Sequence, residues 1–258
     1  MNPFANTVNT GNEQIAGDSD RIGGSFIWDT AAYPVTILAA YSAKSKGGAG
    51  SMNFEVQGED GRKFKFTEWV TSGDAKGNKP YYEKDGKKSY LPGFNNVNAI
   101  SMFCTQKELN ALTFENKIVK LRDFTLNKDV PAEVPMAVEL IGKQFILGLN
   151  KVETNKTKKV GEKYLPVADA TGAPITKFVN EVSKIFYSAN NCTISELREA
   201  KQKGIAPVAD FYPKWVDANT GKVIDKVSKE GLVPENDGVG PAGTPSDAAG
   251  AEVDSLFD

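Results

Sequence analysis

The stretch SMNFEVQGEDGRKFKFTEWV, residues 51–70, decides the fold of this chain. Its first half alternates apolar and polar residues, with Met52, Phe54 and Val56 on one side. A turn follows at Asp60-Gly61, after which the alternation resumes. Two alternating segments joined by a glycine turn predict a β-hairpin with one buried face.

The returning strand of this hairpin carries a basic face. Its apolar side holds Phe64 and Phe66, which we expect to face the core. The opposite side displays Lys63, Lys65 and Trp69. The hairpin therefore presents two cations and an indole on the face that points away from the core.

A second turn signal follows at once in KPYYEKDGKKSYLPGFN, residues 79–95. Asp85-Gly86 lies between tyrosines and lysines, and nothing there resembles core, so we predict an exposed hairpin or loop. Lysines neutralise backbone phosphates, and aromatic rings stack on bases at about 1 to 3 kcal/mol per base. Because stacking needs exposed base faces, the composition favours a single strand over a duplex. The alternative is a solvated hairpin whose tyrosines pack against the body of the protein.

Side chains of these two segments are therefore our candidate nucleic-acid contacts. They are Lys63, Lys65, Trp69, Lys79, Tyr81, Tyr82, Lys84, Lys87, Lys88 and Tyr90. Contacts of this kind recognise charge and ring faces rather than base sequence. The lysines between residues 156 and 163 could also reach phosphate, although runs of charge are usually solvated.

Strand signals recur along the rest of the chain. Segments 34–45, 116–124 and 143–153 are rich in strand-forming residues. Segment 175–190 fits either a helix or a strand, and we favour a strand around residues 183–189.

Helices are predicted at three places. NNVNAISMFCTQKELNAL, residues 95–112, has apolar residues at helical spacing. The capping-box pattern S/T-x-x-E occurs at Thr193 and Glu196, so a helix should begin there and stop at Gly204. A third helix is predicted from four residues spaced as one buried face, Val208, Phe211, Tyr212 and Trp215, although Pro213 requires this helix to begin near Asp210 or to kink.

The sequence contains no histidine. This removes Ser-His-Asp and Cys-His nucleophiles, HExxH zinc sites and histidine acid–base steps. Neither a GxxxxGK[ST] phosphate loop nor a GxGxxG turn between a strand and a helix occurs. The two cysteines, Cys104 and Cys192, stand apart, which favours buried free thiols over a zinc site or a disulfide framework. We expect no catalytic site, no metal and no cofactor, while a carboxylate pair that holds magnesium stays open.

Charge is distributed unevenly along the chain. The formal net charge is −2, but seven acids and no basic residue follow position 229, so residues 1–229 carry +5. This asymmetry is typical of a body that meets a polyanion, and the alternative is a tail that only aids solubility. We divide the chain into a polar lead-in (1–24), one folded domain (25–229) and a flexible acidic tail (230–258).

Short strands, glycine turns and a few helices indicate a mainly β domain of the α+β class, for which a small barrel is the natural way to close the sheet edges. This β-rich body contains the segments KDGKKSYLPGFNNVNAISMF and FYPKWVDANTGK, and the sequence ends in DSLFD. In this order of parts the chain resembles bacteriophage single-stranded-DNA-binding proteins. The resemblance implies an oligonucleotide/oligosaccharide-binding (OB) fold, a five-stranded Greek-key barrel with inserted helices and a disordered acidic C-terminal tail.

The resemblance also implies a non-enzymatic protein that coats and protects single-stranded DNA in phage DNA replication, recombination and repair. Its tail would recruit a polymerase, helicase or nuclease through Asp254, Leu256, Phe257 and Asp258. No apolar run of membrane-spanning length and no signal-peptide pattern is present, so we expect the cytoplasm of the infected host cell. The alternatives are a virion or scaffold protein and a magnesium-dependent nuclease. The oligomeric state stays open, a homodimer included.

Overall fold

The computed structural model describes residues 26–123, 126–161 and 163–235. The helices are α1 (Pro92–Thr105), α2 (Ile194–Lys203) and α3 (Phe211–Asn219), with short 3-10 turns at Asp74–Lys76, Leu109–Ala111 and Val138–Leu140. The strands are β1 (Ala31–Lys44), β2 (Gly50–Gly58), β3 (Lys63–Trp69), β4 (Tyr81–Lys84), β5 (Lys87–Tyr90), β6 (Phe114–Asp123), β7 (Lys128–Ala137), β8 (Gln144–Asn155), β9 (Thr157–Val160), β10 (Lys163–Ala168), β11 (Thr176–Phe186), β12 (Val223–Asp225) and β13 (Val233–Pro234). The protein is mainly β with a few helices, as its sequence predicts.

The main sheet follows the path β11-β8-β1-β2-β3, in which neighbouring strands are antiparallel. Strand β12 lies parallel to β8, and the β6–β7 hairpin joins β1 where Met136 pairs with Tyr41. Two smaller sheets consist of β4 with β5 and of β13, β10 and β9. Within the described ranges β3 and β11 do not pair, so this path does not close into the barrel that the sequence led us to expect.

The β2–β3 hairpin is the one predicted from residues 51–70. Phe54 lies opposite Phe66, both are buried, and their rings stack with centroids 4.9 Å apart. Gly61 has φ of +80°, a conformation that favours glycine, and the Asp60 carboxylate accepts a hydrogen bond from the Arg62 amide. The alternation and the turn chemistry therefore agree with the observed register.

Apolar side chains pack on both faces of β8. The main core lies between the sheet and α1 and includes Ile37, Leu147 and Val97. On the other face a smaller cluster contains Ile146, Phe186 and Trp215. Because both faces are covered, residues 145–149 are all buried, as in a central strand.

Strand β7 was not predicted from the sequence, because its segment, KDVPAEVPMA, contains two prolines. Proline is tolerated in a strand where its missing N–H would face away from the neighbouring strand. Pro131 and Pro135 are four residues apart, so they share one side of β7. Strand β11 covers most of the ambiguous segment 175–190, which excludes a helix there.

The first helix begins and ends earlier than predicted. Proline at the first helical position starts α1 at Pro92, and Gln106 ends it with φ of +61°. Among the apolar residues of segment 95–112, Val97 and Ile100 are fully buried and Leu112 is buried, whereas Cys104 is only half-buried. The predicted stop beyond residue 106 was wrong because the left-handed residue breaks the helical path.

The capping box of α2 is confirmed, whereas the buried face predicted for α3 is only partly correct. Thr193 accepts a hydrogen bond from the Glu196 amide, Glu196 accepts one from the Thr193 amide, and Gly204 ends the helix in a left-handed conformation. Helix α3 begins at Phe211, so Val208 precedes it and is 63% exposed. Phe211 is 38% exposed, Tyr212 half-buried and Trp215 buried.

Candidate nucleic-acid interface

The two lysines predicted on β3 lie on its outer face, as the alternation requires. Lys65 pairs across the sheet with Glu55, and Lys63 lies two residues before it. Their ammonium groups lie 3.3 Å and 3.4 Å from the two carboxylate oxygens of Glu55. Both lysine side chains stay more than half exposed, so they remain accessible to a ligand in solvent.

A groove of about 460 Å³ runs between this face of β1–β3 and the β6–β7 hairpin. Its sheet side is mostly polar and includes Tyr41, Asn53, Glu55, Lys65 and Thr67. Its hairpin side combines aliphatic and charged residues, Val119, Lys120, Leu121 and Asp129. The groove therefore places two lysines, two carboxylates and several hydrogen-bonding groups beside the aliphatic side chains of Val119 and Leu121, a combination suited to a ligand with charged and planar parts.

Tyr41 was not singled out from the sequence, because a bulge in β1 reverses the alternation. The register between β1 and β2 shifts between Ile37 and Ala39. Strict alternation from the buried Ile37 would put Tyr41 on the core face, but after the bulge Ala40 is buried and Tyr41 opens into the groove. Burial raises the pKa of the Tyr41 phenol, and nearby Lys65 partly opposes that rise.

The Asp85-Gly86 signal corresponds to the β4–β5 hairpin. Both turn residues have positive φ, +51° for Asp85 and +72° for Gly86, as a two-residue hairpin turn requires. No residue of either strand is buried, so the main core does not cover the hairpin. Its tyrosines include Tyr82, 46% exposed, and Tyr90, 54% exposed.

Cross-strand pairing divides the hairpin into two faces. Tyr81 pairs with Tyr90, and the ammonium of Lys88 lies 5.0 Å from the Tyr81 ring centre, with that of Lys79 at 5.9 Å. Tyr90 also stacks on Phe94 of α1, with ring centres 4.6 Å apart. The other face carries Tyr82, Lys84 and Lys87. Both faces thus combine cations with an aromatic ring.

The two ends of the β4–β5 hairpin meet at its base. The Leu91 amide donates to the Pro80 carbonyl at 2.9 Å, and the Lys79 amide donates to the Ser72 hydroxyl at 3.0 Å. The preceding loop is in turn joined to the β1–β2 loop, because the Asp74 amide donates to the Gly47 carbonyl at 2.8 Å. Hydrogen bonds therefore connect the exposed hairpin to the preceding loop, and that loop to the β1–β2 loop.

Trp69, which we expected on the outer face with the two lysines, is half-buried at the end of β3. The start of α1 crosses its backbone so closely that a Cβ on Gly93 would lie 2.3 Å from the Trp69 carbonyl oxygen. Only glycine fits this crossing. The indole is less accessible than alternation alone predicts.

The lysines between residues 156 and 163 lie on and beside the β9–β10 hairpin. Lys156 forms an ion pair of 2.8 Å with Glu235, and the Lys158 ammonium donates to the Pro234 carbonyl. The Lys159 ammonium lies 6.0 Å from the centre of the Tyr164 ring, which is 51% exposed. Two of these lysines therefore contact the segment that carries β13.

The four residues proposed for partner binding, Asp254, Leu256, Phe257 and Asp258, lie outside the described residues. Within the described part of the chain no helix is long and apolar enough to cross a membrane. Both cysteines are free, and burial raises the pKa of the Cys104 thiol to about 12. No group of three or more metal-ligating side chains occurs in the described ranges.

Comparisons with known proteins do not identify this chain. No protein-family model matches it. A search of curated proteins likewise finds no significant match.

Proposed function

We propose that this protein binds single-stranded DNA without sequence specificity, through lysine–phosphate contacts and base stacking. The observation that carries the proposal is the β4–β5 hairpin, which leaves tyrosines and lysines together in solvent although the core gains nothing from it. Exposed rings with adjacent cations suit a strand whose bases are free to stack. A duplex offers its phosphates but keeps its base faces covered.

The groove above β1–β3 supports the same proposal. Lys65 and Lys120 can neutralise phosphate there, and Tyr41 provides a ring opposite the aliphatic side chains of Val119 and Leu121. Strand β3 leads from this groove to the loop before the hairpin, so one strand of DNA could follow β3 from one group of residues to the other. The path β11-β8-β1-β2-β3 contains five strands, as an OB barrel does. We infer that the two folds are distantly related.

In the cell, we infer a non-catalytic role in the cytoplasm of a phage-infected host, where the protein would cover exposed strands during replication, recombination and repair. The last residues of the sequence, with Leu256 and Phe257 among acids, would dock replication or recombination proteins such as a polymerase, helicase or nuclease. A homodimer is compatible with this role.

The proposal is tested by titrating a thymidine oligomer at several salt concentrations, with and without magnesium, while tryptophan fluorescence is followed. Trp28 and Trp215 are 1% and 5% exposed, so quenching should come mainly from Trp69. We expect salt-sensitive quenching and no cleavage. Tyr82→Ala and Tyr90→Ala should each weaken binding by about 1 to 3 kcal/mol, the usual value of one stacked base.

Phe178→Ala is the matched control. Phe178 lies on β11, is 43% exposed and has the Lys151 ammonium 5.3 Å from its ring centre, so it shares the chemistry of the hairpin but not its place. Its replacement should leave the affinity unchanged. A flat titration with self-assembly of the protein would favour a scaffold role, and cleavage that requires magnesium would favour a nuclease.

A further inference from the structure

Glu55 lies between the two lysines of β3. Its carboxylate oxygens lie 3.4 Å from the Lys63 ammonium and 3.3 Å from the Lys65 ammonium, one oxygen to each lysine. The register explains this arrangement, because Glu55 pairs directly with Lys65 and Lys63 follows on the same face of β3. One carboxylate therefore neutralises half of the positive charge on this strand.

The carboxylate occupies the place that a phosphate would take. A phosphodiester, like a carboxylate, bears one negative charge shared by two oxygens, and both prefer to accept hydrogen bonds from ammonium groups. Glu55 also lines the groove beside Lys65 and Tyr41. A phosphate that enters between the two lysines must displace the carboxylate or share the lysines with it.

Exposure makes such a displacement feasible. The Lys63 and Lys65 side chains are 58% and 68% exposed, and the Glu55 side chain is 26% exposed. Ion pairs this close to solvent contribute little to stability and exchange easily. The fold therefore does not need Glu55 to hold the two lysines in place, since cross-strand pairing already does so.

We propose that Glu55 limits the affinity of this surface for nucleic-acid phosphate, by acting as an internal competitor for Lys63 and Lys65. The inference rests on the proposed function, single-stranded-DNA binding. Its consequence is a weaker and shorter-lived complex than the lysines alone would give. The residue moderates binding rather than supporting it.

The test measures binding of a thymidine oligomer to the full chain carrying Glu55→Gln, over a range of salt concentrations. The amide keeps the shape of the side chain and removes its charge. We expect binding about fivefold tighter at low salt, since two weak surface pairs no longer compete. The slope of log affinity against log salt should steepen by about 0.7, the value of one additional neutralised phosphate on a single strand.

Glu199→Gln controls for the change in net charge. Glu199 also forms an exposed ion pair, with Lys203 on α2, so this variant loses the same charge away from the sheet. It should bind as the wild type does. In a Lys63→Ala/Lys65→Ala background, Glu55→Gln should have no effect, and Glu55→Ala in the wild-type background should repeat the gain seen with Gln.

The outcomes separate the inference from the function on which it rests. Unchanged or weaker binding by Glu55→Gln, in a folded variant of a protein that does bind DNA, would overturn the inference alone. An equal gain from Glu199→Gln would also overturn it, because general charge would then be the cause. If the wild type fails to bind at any salt concentration, the proposed function falls and the inference falls with it.

Discussion

Glu68 lies in surroundings that are unusual for a carboxyl group. It lies on β3 beside the start of α1, where Asn96 donates a hydrogen bond of 2.9 Å to its carboxylate. Burial raises the pKa of this carboxyl from 4.5 to about 7, and the bond from Asn96 opposes the rise only in part. The folded protein therefore holds this proton more tightly than the unfolded chain does.

Glu68→Gln should flatten the pH dependence of stability between pH 4.5 and 7. In the wild type the contribution of Glu68 is fully present below pH 4.5 and is lost as the pH rises through 7, because the folded state must then ionise a buried group. The amide cannot ionise. Relative to the wild type, the variant should gain up to about 3 kcal/mol of unfolding free energy between pH 4 and pH 8.

Urea denaturation at pH 4, 6 and 8 checks this prediction. Glu83→Gln is the control, because it makes the same change of carboxyl to amide at an exposed position of β4. Parallel profiles for the wild type and Glu68→Gln would show that the carboxyl is not the source of the pH dependence.

Sequence alone could place these single residues on a face but could not identify their neighbours. Alternation with Phe64 and Phe66 already points Glu68 inward. Its partner Asn96 depends on how α1 crosses β3, and that crossing depends on the close approach at Gly93. Tyr41 could not be assigned to the groove at all, because its orientation depends on a bulge without a clear sequence signal.

At the scale of elements, the β4–β5 hairpin is separable from the rest of the fold. Its strands pair only with each other within the described sheets, and it contributes no buried residue. Its ends already meet through the hydrogen bond between Leu91 and Pro80. Among the described residues, the stack of Tyr90 on Phe94 is the ring contact that ties it to a helix.

Replacement of residues 81–90 by two glycines should leave the fold intact and weaken DNA binding. The free energy of unfolding should fall by no more than about 1.5 kcal/mol, the usual upper value of one aromatic pair. Affinity for a thymidine oligomer should fall at least tenfold, because the exposed rings and lysines are lost together. Urea denaturation and oligomer titration measure the two effects, and retained affinity would remove the hairpin from the proposed interface.

Elements with strong local chemistry were predictable from the sequence. The two glycine turns and the capping box of α2 are decided by residues next to one another, so their signals survive without knowledge of packing. Strand β7 and the burial of α3 depend instead on distant partners, whereas the start of α3 next to Asp210 follows from Pro213. Strand β6 makes a proline-containing strand possible, and Phe186 packs against Tyr212 and Trp215 at 5.0 Å and 5.8 Å between ring centres.

Across the whole molecule, charge is the property that links residues 236–258 to the described part of the chain. Residues 236–258 contain five acids and no basic residue, so their removal changes the formal net charge from −2 to +3. Shortening the chain after Glu235 should therefore tighten DNA binding at low salt, and the difference should shrink as salt increases. The cut spares β13, whose pairing with β10 belongs to the described fold.

A full-length variant with the same five acids changed to amides separates charge from length. It should bind DNA as tightly as the shortened chain. Phe257→Ala is the complementary change, since it should leave DNA binding intact and reduce capture of a replication protein. Equal DNA affinity for the wild type and the shortened chain at low salt would contradict the competition between acids and DNA.

The fold class was predictable because the strand and turn signals are frequent and local, whereas closure of the sheet was not. Closure depends on whether β3 pairs with β11, and these two strands are more than a hundred residues apart in the sequence. In the structure they do not pair, so the sheet stays open between them. The candidate site was predictable in composition, since its lysines and tyrosines cluster in sequence. Its division between a groove and a separate hairpin depends on the pairing of the predicted strand β6 with β7, which the sequence did not predict.

The pairing of Val233 and Pro234 with β10 also fixes the point of the fold from which the last residues of the sequence extend. Twenty-three residues of the sequence follow Glu235, and at about 3.5 Å per residue their contour cannot exceed roughly 80 Å. The point at which a protein contacts Leu256 and Phe257 would thus lie within a sphere of that radius around Glu235. Within it, encounters with a bound strand become intramolecular, at an effective concentration that tether length sets.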